Sequence, residues 1–535
     1  MNKIITGMTA ILLIGTSVTN FGTAAINIMT ISDITKVSAD ETDDPDTTSE
    51  IIKCGNDAYC TITDNGSTMI ITGKGRIDYI PYDGRNVKKL IVESGITGIY
   101  YQVFSKYENL ESISLPDSIN NIDSEVFENT AWYKNQPDGL VYACNIAYNY
   151  KGKMKENTDI IFKEGTTGIA EKAFYECSEI KSVTFPDSIT KIPYSSFYKC
   201  ENLTSVTIPD SVTDIGAYAF FSCSSLEKVI IPDSVTDIGS SAFGDCFMLV
   251  DITFPDSIPS LGQHVFDCTL WYNNQPLGIV YANNTVCGYK YETTDYTDIE
   301  IKEGTKSIAD GAFADCTYIK SVNIPDSVIN TGYSIFEGCT SLENIVFSDS
   351  MTSVNGSSFW NCSSLKSVTF PQNIKCIGSS AFHQNNELES VTFLSEELEI
   401  KYDAFGDVPN LRDVFYVGSE EDWKQKVKIA LDNEKLTDAR FHFNYSPSSE
   451  NTDIVPDGHV SADNNDIIYG DLNKDKIIDL NDLTNLSRFL LGDTVLDENS
   501  VKAADVSYDG IIDILDLVVL KQYICHDNVK LGPKI

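Results

Sequence analysis

The chain has 535 residues, with Asp+Glu 78 against Lys+Arg 39 and a formal net charge of −39. Hydrophobic residues make up 42%, which argues against wholesale disorder, and the length suits several domains or one long array better than a single core. So acidic a surface repels phosphate backbones and anionic headgroups. It excludes nucleic acid and membrane insertion as expected partners and favours divalent cations and neutral or basic molecules.

At the N-terminus, Met1-Asn2-Lys3 supplies a positive start, and residues 4–14 form an apolar run broken only by Thr6, Gly7 and Thr9. Val37-Ser38-Ala39 before Asp40 has the small-x-small form of a cleavage site. Residues 1–39 are therefore predicted to be an export signal, with a second cleavage candidate near Ala24-Ala25. The run is short for a bilayer span, no later stretch reaches spanning length, and the mature protein is expected to be secreted. Residues 40–53 read as its disordered start.

A 23-residue clock then takes over. Phenylalanine recurs at Phe174, Phe197, Phe220, Phe243 and Phe266, and again at Phe313, Phe336, Phe359, Phe382 and Phe405, in steps of 23. Phe104 and Phe127 are also 23 apart, while Phe127 to Phe174 and Phe266 to Phe313 are steps of 47, two repeats plus one residue. Each unit reads like Leu203-Thr204-Ser205-Val206-Thr207-Ile208-Pro209-Asp210-Ser211-Val212, then Ile215-Gly216 and Ala219-Phe220. Leu, Val and Ile of the first segment point inward from a short strand. Proline ends its ladder and Asp-Ser turns the chain. Val212 and Ile215 return along the opposite wall, and Ala219-Phe220 fills the interior. One coil cannot bury these residues alone, but stacked coils can. The predicted fold is mainly a β solenoid of leucine-rich-repeat type, with 23-residue coils and short helical turns.

The unit Ala-Phe-x-x-Cys-x-x-Leu-x-x-Val-x-Ile-Pro-Asp-Ser-Val, over residues 54–445, resembles the BspA-like leucine-rich repeat family of bacterial surface and secreted proteins. The resemblance implies an N-terminal cap over 54–100, begun by Cys54-Gly55 and residues 68–75. It implies a solenoid over 101–415 and a C-terminal cap over 416–445 containing Tyr416-Val417-Gly418-Ser419-Glu420-Glu421-Asp422-Trp423. It also implies adhesion or recognition rather than catalysis.

Several residues in this region invite a chemical reading. Cys177, Cys200, Cys223 and Cys246, like Cys316, Cys339 and Cys362, follow the repeat period. Strand spacing would put such thiols roughly 5 Å apart, within disulfide reach. A row cannot pair every member with both neighbours, however, and buried free Cys packs as a small apolar residue. The redox state of the row stays open, and Cys54 with Cys60 is the better candidate for a local disulfide. The chain has no Cys-x-x-Cys, so a zinc site lacks its usual spacing. The outward strand positions Ser182/Thr184, Ser205/Thr207, Ser321/Asn323, Ser367/Thr369 and Ser390/Thr392 predict a flat, neutral hydroxyl ladder, with Phe415 the one stacking aromatic near its end. His264, His383, His442, His459 and His526 are scattered, and no nucleophile–base or paired-carboxylate signature emerges. The two long steps carry a twin motif, Ala131-Trp132-Tyr133-Lys134-Asn135-Gln136-Pro137 and Leu270-Trp271-Tyr272-Asn273-Asn274-Gln275-Pro276, each followed by Val-Tyr-Ala. These predict hairpin insertions near 131–160 and 270–298. Trp132, Tyr133, Trp271 and Tyr272 either form a sugar-binding platform or anchor the hairpins to the core.

Residues 446–469 are polar and acidic and read as a linker. Beyond it, Asp471, Asn473, Asp475, the Ile477 carbonyl, Asp479 and Asp482 occupy positions 1, 3, 5, 7, 9 and 12 of a loop. Asp505, Ser507, Asp509, the Ile511 carbonyl, Asp513 and Asp516 repeat them thirty-four residues later. This spacing wraps hard oxygen donors around Ca²⁺. Position 6 is Gly510 in the second loop and Lys476 in the first. A helical stripe follows each loop, Leu483, Leu486 and Phe489-Leu490 in one, Leu517, Leu520 and Ile524 in the other. Two loop–helix repeats without entering helices resemble a type I-like dockerin over 470–530, a small all-α calcium-binding domain. That resemblance implies two Ca²⁺ ions, calcium-driven folding and binding to a cohesin module on a scaffolding protein. It assigns the cohesin face to Leu480/Asn481 with Ser487/Arg488, and to Ile514/Leu515 with Lys521/Gln522. Because the two halves differ, one binding orientation is expected.

The expected protein is a non-catalytic binding component of an extracellular, cellulosome-like assembly or cell surface, its solenoid recognising a protein or a polysaccharide. The alternatives are a polysaccharide-degrading component of the same assembly and a host or cell-surface adhesin. No segment outside the clock is large enough to house a catalytic domain.

Overall fold

The structure, a computed structural model, describes residues 51–291 and 295–446, and from the C-terminal part 469, 470, 472, 478, 480–490, 496, 500, 503, 504, 506, 512, 520 and 521. The signal, the expected disordered start as far as residue 50 and the linker from 447 to 468 lie outside the described residues, while Ile51–Lys53, assigned to that disordered start, form a strand instead because they pair with the next one. Contacts divide the chain into two units, one made of residues up to 413 with 427–439, the other of 414–426 with 440–535.

The first unit opens antiparallel. Ile51–Lys53, Asp57–Thr63 and Thr68–Ile77 pair as a meander, and Thr68–Ile77 then pairs in parallel with Lys89–Val92. From there the chain stacks in parallel coils. Val183, Val206, Val229 and Ile252 are directly opposite one another in successive strands, each 23 residues after the last. A second wall forms the same way, with Ile192, Ile215, Ile238 and Leu261 in register. Leu203, Val206, Ile208, Val212, Ile215, Ala219 and Phe220 are all buried, as the repeat pattern requires. The core phenylalanines stack face to face, Phe197 to Phe220 at 5.4 Å and Phe220 to Phe243 at 5.3 Å between centroids.

The consensus residues have individual tasks. Ser211 and Ser234 of the Pro-Asp-Ser turns each donate a hydroxyl hydrogen to a carbonyl of the preceding coil at 2.7 Å. Gly216 lies where a Cβ would come within 2.6 Å of the Tyr194 nitrogen, so only glycine lets the coils approach.

Around Ala-Phe the coil turns without a regular helix. From Phe174 to Phe405, residues two before and two after the phenylalanine have left-handed backbone, as at Tyr218 (φ 56°) and Ser222 (φ 55°) around Phe220. That conformation costs roughly 1–2 kcal/mol for a non-glycine residue and breaks a right-handed helix. It turns alternate amides toward the next coil. Tyr218, Phe220 and Ser222 donate to the Ser240, Ala242 and Gly244 carbonyls at 2.8–3.0 Å, and the intervening Ala219 and Phe221 donate back within the turn. Stacking hydrogen bonds thus replace helical ones.

The periodic cysteines gain a specific role here. The thiols of Cys200, Cys223 and Cys246 donate to the carbonyls of Phe174, Phe197 and Phe220, one coil back, at 3.1–3.3 Å. Asn385 fills the same position and donates its amide to the Phe359 carbonyl at 2.8 Å. The thiols are free, and so are the buried Cys54 and Cys60, which do not form the local disulfide expected of them. Burial pushes both of those thiols up to about 12, so they stay protonated and unreactive at neutral pH.

In the second unit, Ser419 caps helix Glu420–Lys426 by accepting from the Asp422 amide at 3.1 Å, while Asp422 accepts in return from the Ser419 amide. Trp423 packs edge-on against Tyr416 and Phe441 at 5.0 and 4.9 Å. Among the described residues no helix is long and apolar enough to cross a membrane.

Candidate functional site

The twin insertions are built alike. Thr130 and Thr269 cap the one-turn helices Ala131–Lys134 and Leu270–Asn273, accepting from the Tyr133 and Tyr272 amides at 3.1 and 3.0 Å. Gln136 and Gln275 donate back to the Trp132 and Trp271 carbonyls. Lys151 and Lys290, from the far strand of each hairpin, donate to the carbonyls left unpaired at the helix end, among them Lys134 at 2.7 Å and Asn273 at 2.9 Å. These two lysines were not singled out from sequence, although Tyr150-Lys151 and Tyr289-Lys290 lie at the same distance from Trp132 and Trp271.

The half-buried tryptophans pack on the core. Trp132 meets Phe127 edge-on at 5.2 Å, and Trp271 lies 5.4 Å from Phe266 and 4.9 Å from Phe254. Tyr133 packs on Tyr148 at 5.8 Å, and the Tyr148 hydroxyl accepts the Phe127 amide at 2.8 Å, where elsewhere a coil carbonyl stands. Tyr272 lies 6.5 Å from Trp271, with the Lys290 ammonium over its ring. These contacts favour anchoring over sugar stacking, which needs free ring faces. Trp271→Ala is accordingly expected to lower stability by about 2–3 kcal/mol, below the range for a fully buried Trp, in a melt without ligand. An unchanged melt with lost polysaccharide binding would restore the platform.

The strand face departs from a neutral ladder. The expected serines and threonines do face outward, but the row through Ser182 and Ser205 runs from Asp159 to Lys228 and Asp251, in register across the sheet. Lys228 pairs with Asp251 at 2.7 Å, and Ser182 donates to Asp159. In the second half Asp298 accepts from Ser321. Only some coils carry Ser and Thr here, and Lys228 and Asp251 take the same position in the neighbouring ones. Phe415 stacks on His442 at 4.5 Å and so has one face covered.

Another row of rings went unnoticed in the sequence. Tyr175, Tyr198 and Phe221, each directly after a core phenylalanine, stack at 4.7 and 5.4 Å. Because they stack on one another, they present edges rather than faces outward.

Near the first insertion, Arg76 pairs with buried Asp123, and Glu171 lies close by. Burial, with Asp123 adding repulsion against Arg76 and Lys172, pushes Glu171 from its ordinary 4.5 up to about 7. A raised carboxyl binds its proton more tightly in the folded state, so stability declines as pH rises from about 4.5 to about 7 and is level beyond. Glu171→Gln is therefore expected to melt above the parent at pH ~8, with the difference shrinking toward pH ~4.5. Equal melting gaps at the two pH values would contradict this.

In the C-terminal part, helix Leu480–Leu490 is present, and Leu486 joins Leu472, Ala504, Val506 and Leu520 in a buried cluster, with Leu483 and Leu490 packed against it. Asp482 is fully buried, and its Oδ1 accepts the Leu472 amide at 2.7 Å. Ser487 is half-buried, while Arg488 and Lys521 are exposed. Leu480 and Asn481 begin the helix. The remaining calcium and cohesin candidates, Asp471, Asn473, Asp475, Ile477, Asp479, Asp505, Ser507, Asp509, Ile511, Asp513, Asp516, Ile514, Leu515 and Gln522, lie outside the described residues.

Parallel 23-residue coils with a Leu, Val, Ile and Phe core define a leucine-rich-repeat β solenoid. The chain belongs to the BspA type leucine rich repeat family, whose model matches six copies over residues 69–136, 146–270 and 284–412, more than half of the chain. Residues 469–525 match the dockerin type I domain. Similar solved structures include a leucine rich cell surface protein from Faecalibacterium prausnitzii, 24% identical over 71% of this chain and 98% of that one, with a TM-score of 0.31. The pneumococcal vaccine antigen PcpA is 16% identical over 71% and 97%, with a TM-score of 0.28. A leucine-rich repeat protein from Bacteroides ovatus is 17% identical over 74% and 99%, with a TM-score of 0.26. No curated protein matches the chain. Leucine-rich-repeat and dockerin modules are typically non-catalytic, and their combination implies protein–protein interaction or adhesion of the cellulosome type.

Proposed function

We propose that the protein is an exported, non-catalytic binding component, tethered to an extracellular scaffold by calcium-dependent dockerin–cohesin pairing, with the solenoid free to recognise a protein or carbohydrate. The observation that carries this reading is the pairing of the repeat family with a dockerin match in one chain. Buried Asp482 supports it, because an ionised carboxylate out of water needs donors or a cation around it. The donor set fits Ca²⁺, an all-oxygen array at loop spacing. Asp471, Asn473, Asp475, Asp479, Asp482 and the Ile477 carbonyl would hold one ion, and their second-loop counterparts, Asp505 to Asp516, the other. Bound calcium supplies folding free energy for the domain. The face toward cohesin would be Leu480/Asn481 with Ser487/Arg488 and Ile514/Leu515 with Lys521/Gln522.

The test is binding of the full-length protein to type I cohesins in calcium and again in excess chelator, with cell-wall polysaccharides and released sugar assayed beside it. Calcium-dependent cohesin binding without sugar release is the expected result. Failure with every cohesin in calcium would remove the tether, and sugar release would make the protein an enzyme.

A further inference from the structure

The two insertions share one architecture but not one surface. The Trp132 and Trp271 amides donate to the carbonyls of Leu110 and Leu249 at 2.6 and 2.7 Å, so residues around Leu110 and Leu249 correspond one to one. At the first insertion the outer positions are Glu108, Asn109, Glu111, Ala131 and Asp138. At the second they are Phe247, Met248, Val250, Leu270 and Leu277, exposed to 54%, 51%, 48%, 38% and 54%. The first insertion shows that the fold tolerates polar residues at four of these positions and a small alanine at the fifth. Five large apolar side chains left in water on the second therefore have no structural task, and clustered exposed apolar groups mark interaction sites.

The surroundings are acidic. Glu227, on the coil that pairs with Val250, and Asp245 and Asp251 beside these residues in the chain are acidic; Lys228 is held by Asp251 and His264 by Asp267, each at 2.7 Å. A second copy of a chain with net charge −39 would bring a like-charged rim against this one. We propose that the second insertion is a docking site for a protein partner that presents an aromatic or aliphatic anchor flanked by Lys or Arg. This inference rests on the reading of the solenoid as a recognition surface and gives that surface a location and a partner chemistry. Apolar anchors in a small desolvated centre would carry the affinity, and the acidic rim would set orientation and on-rate.

The test transplants the first insertion's surface onto the second, with Phe247→Glu, Met248→Asn, Val250→Glu, Leu270→Ala and Leu277→Asp in the full-length, calcium-loaded protein. Peptides are selected from a random displayed library against the parent, then synthesised and titrated against both proteins. The expected result is a consensus of apolar residues beside Lys or Arg, bound at least about tenfold more weakly by the transplant. Absence of a consensus, or equal affinity for both proteins, overturns the proposal. A parent dimer in sedimentation that the transplant abolishes would also overturn it, by making the occupant a second copy. Should the transplant fail to fold, Leu270→Ala with Leu277→Asp is the smaller variant, held to the same outcomes. Cohesin binding, read on the same proteins, is expected to be unchanged, so loss of the tether and loss of the docking site are told apart.

Discussion

Replacing Phe220 with alanine is expected to destabilise the solenoid by about 3–5 kcal/mol, the range for a fully buried aromatic truncated in a core that cannot collapse. Phe220 is completely buried between Phe197 and Phe243. Its amide reaches forward to the Ala242 carbonyl and its own carbonyl accepts the Cys246 thiol, so neighbouring coils hold the backbone in place and the cavity stays open. In a stack where each coil touches only its neighbours, the damage should remain local. Hydrogen exchange is expected to show protection lost in the coils around Phe197, Phe220 and Phe243, and retained near Phe382 and Phe405. A penalty below about 1 kcal/mol would mean that the ladder rings contribute far less than their burial indicates.

Much of this was legible because period and burial report the same thing. A residue that must face inward once per coil repeats once per coil, which is why the phenylalanine clock and the Leu, Val and Ile positions located both walls. What escaped was whatever a single coil does not reveal. Most left-handed positions, among them Lys172, Ser195, Tyr218, Ser241 and His264, are filled by residues other than glycine, so composition gave little sign of them. The cysteines read as small apolar fillers, yet they answer carbonyls one coil away, a demand visible only after stacking. Asn385 held the clue, since only hydrogen bonding explains Asn and Cys sharing one position. The charged members of the outward row, Asp159, Lys228 and Asp251, depart from the repeat consensus at a solvent-facing position, where no core constrains the residue type. Trp132 and Trp271 were ambiguous because an aromatic at a hairpin base looks the same whether it meets core or ligand. The calcium loops stood out for the opposite reason. Apart from the Ile477 and Ile511 carbonyls, each candidate ligand there is a side chain at a fixed step, so the pattern can be read without the fold.

Calcium should bind less well, and with one ion fewer, when Asp482 becomes asparagine. As the twelfth position of the first loop it is assigned a ligand role, and in the structure it is also the acceptor for the Leu472 amide at the edge of the buried cluster. The two roles can be separated. Asp482→Asn keeps an oxygen for the Leu472 amide but removes the charge that draws the cation, whereas Asp482→Ala removes both and leaves a buried amide without its acceptor, a further loss of about 1–3 kcal/mol. Calorimetric titration of the full-length protein is expected to fall from two calcium ions to one in both variants, with cohesin binding weakened in step. Without calcium, Asp482→Asn should leave the residual helicity of the C-terminal part close to the parent's, and Asp482→Ala should lower it. Two ions bound by Asp482→Asn at parental affinity would remove Asp482 from the coordination shell and leave it as the anchor of Leu472 alone. Loss of cohesin binding with calcium binding intact would instead place Asp482 in the recognition surface, which its complete burial argues against.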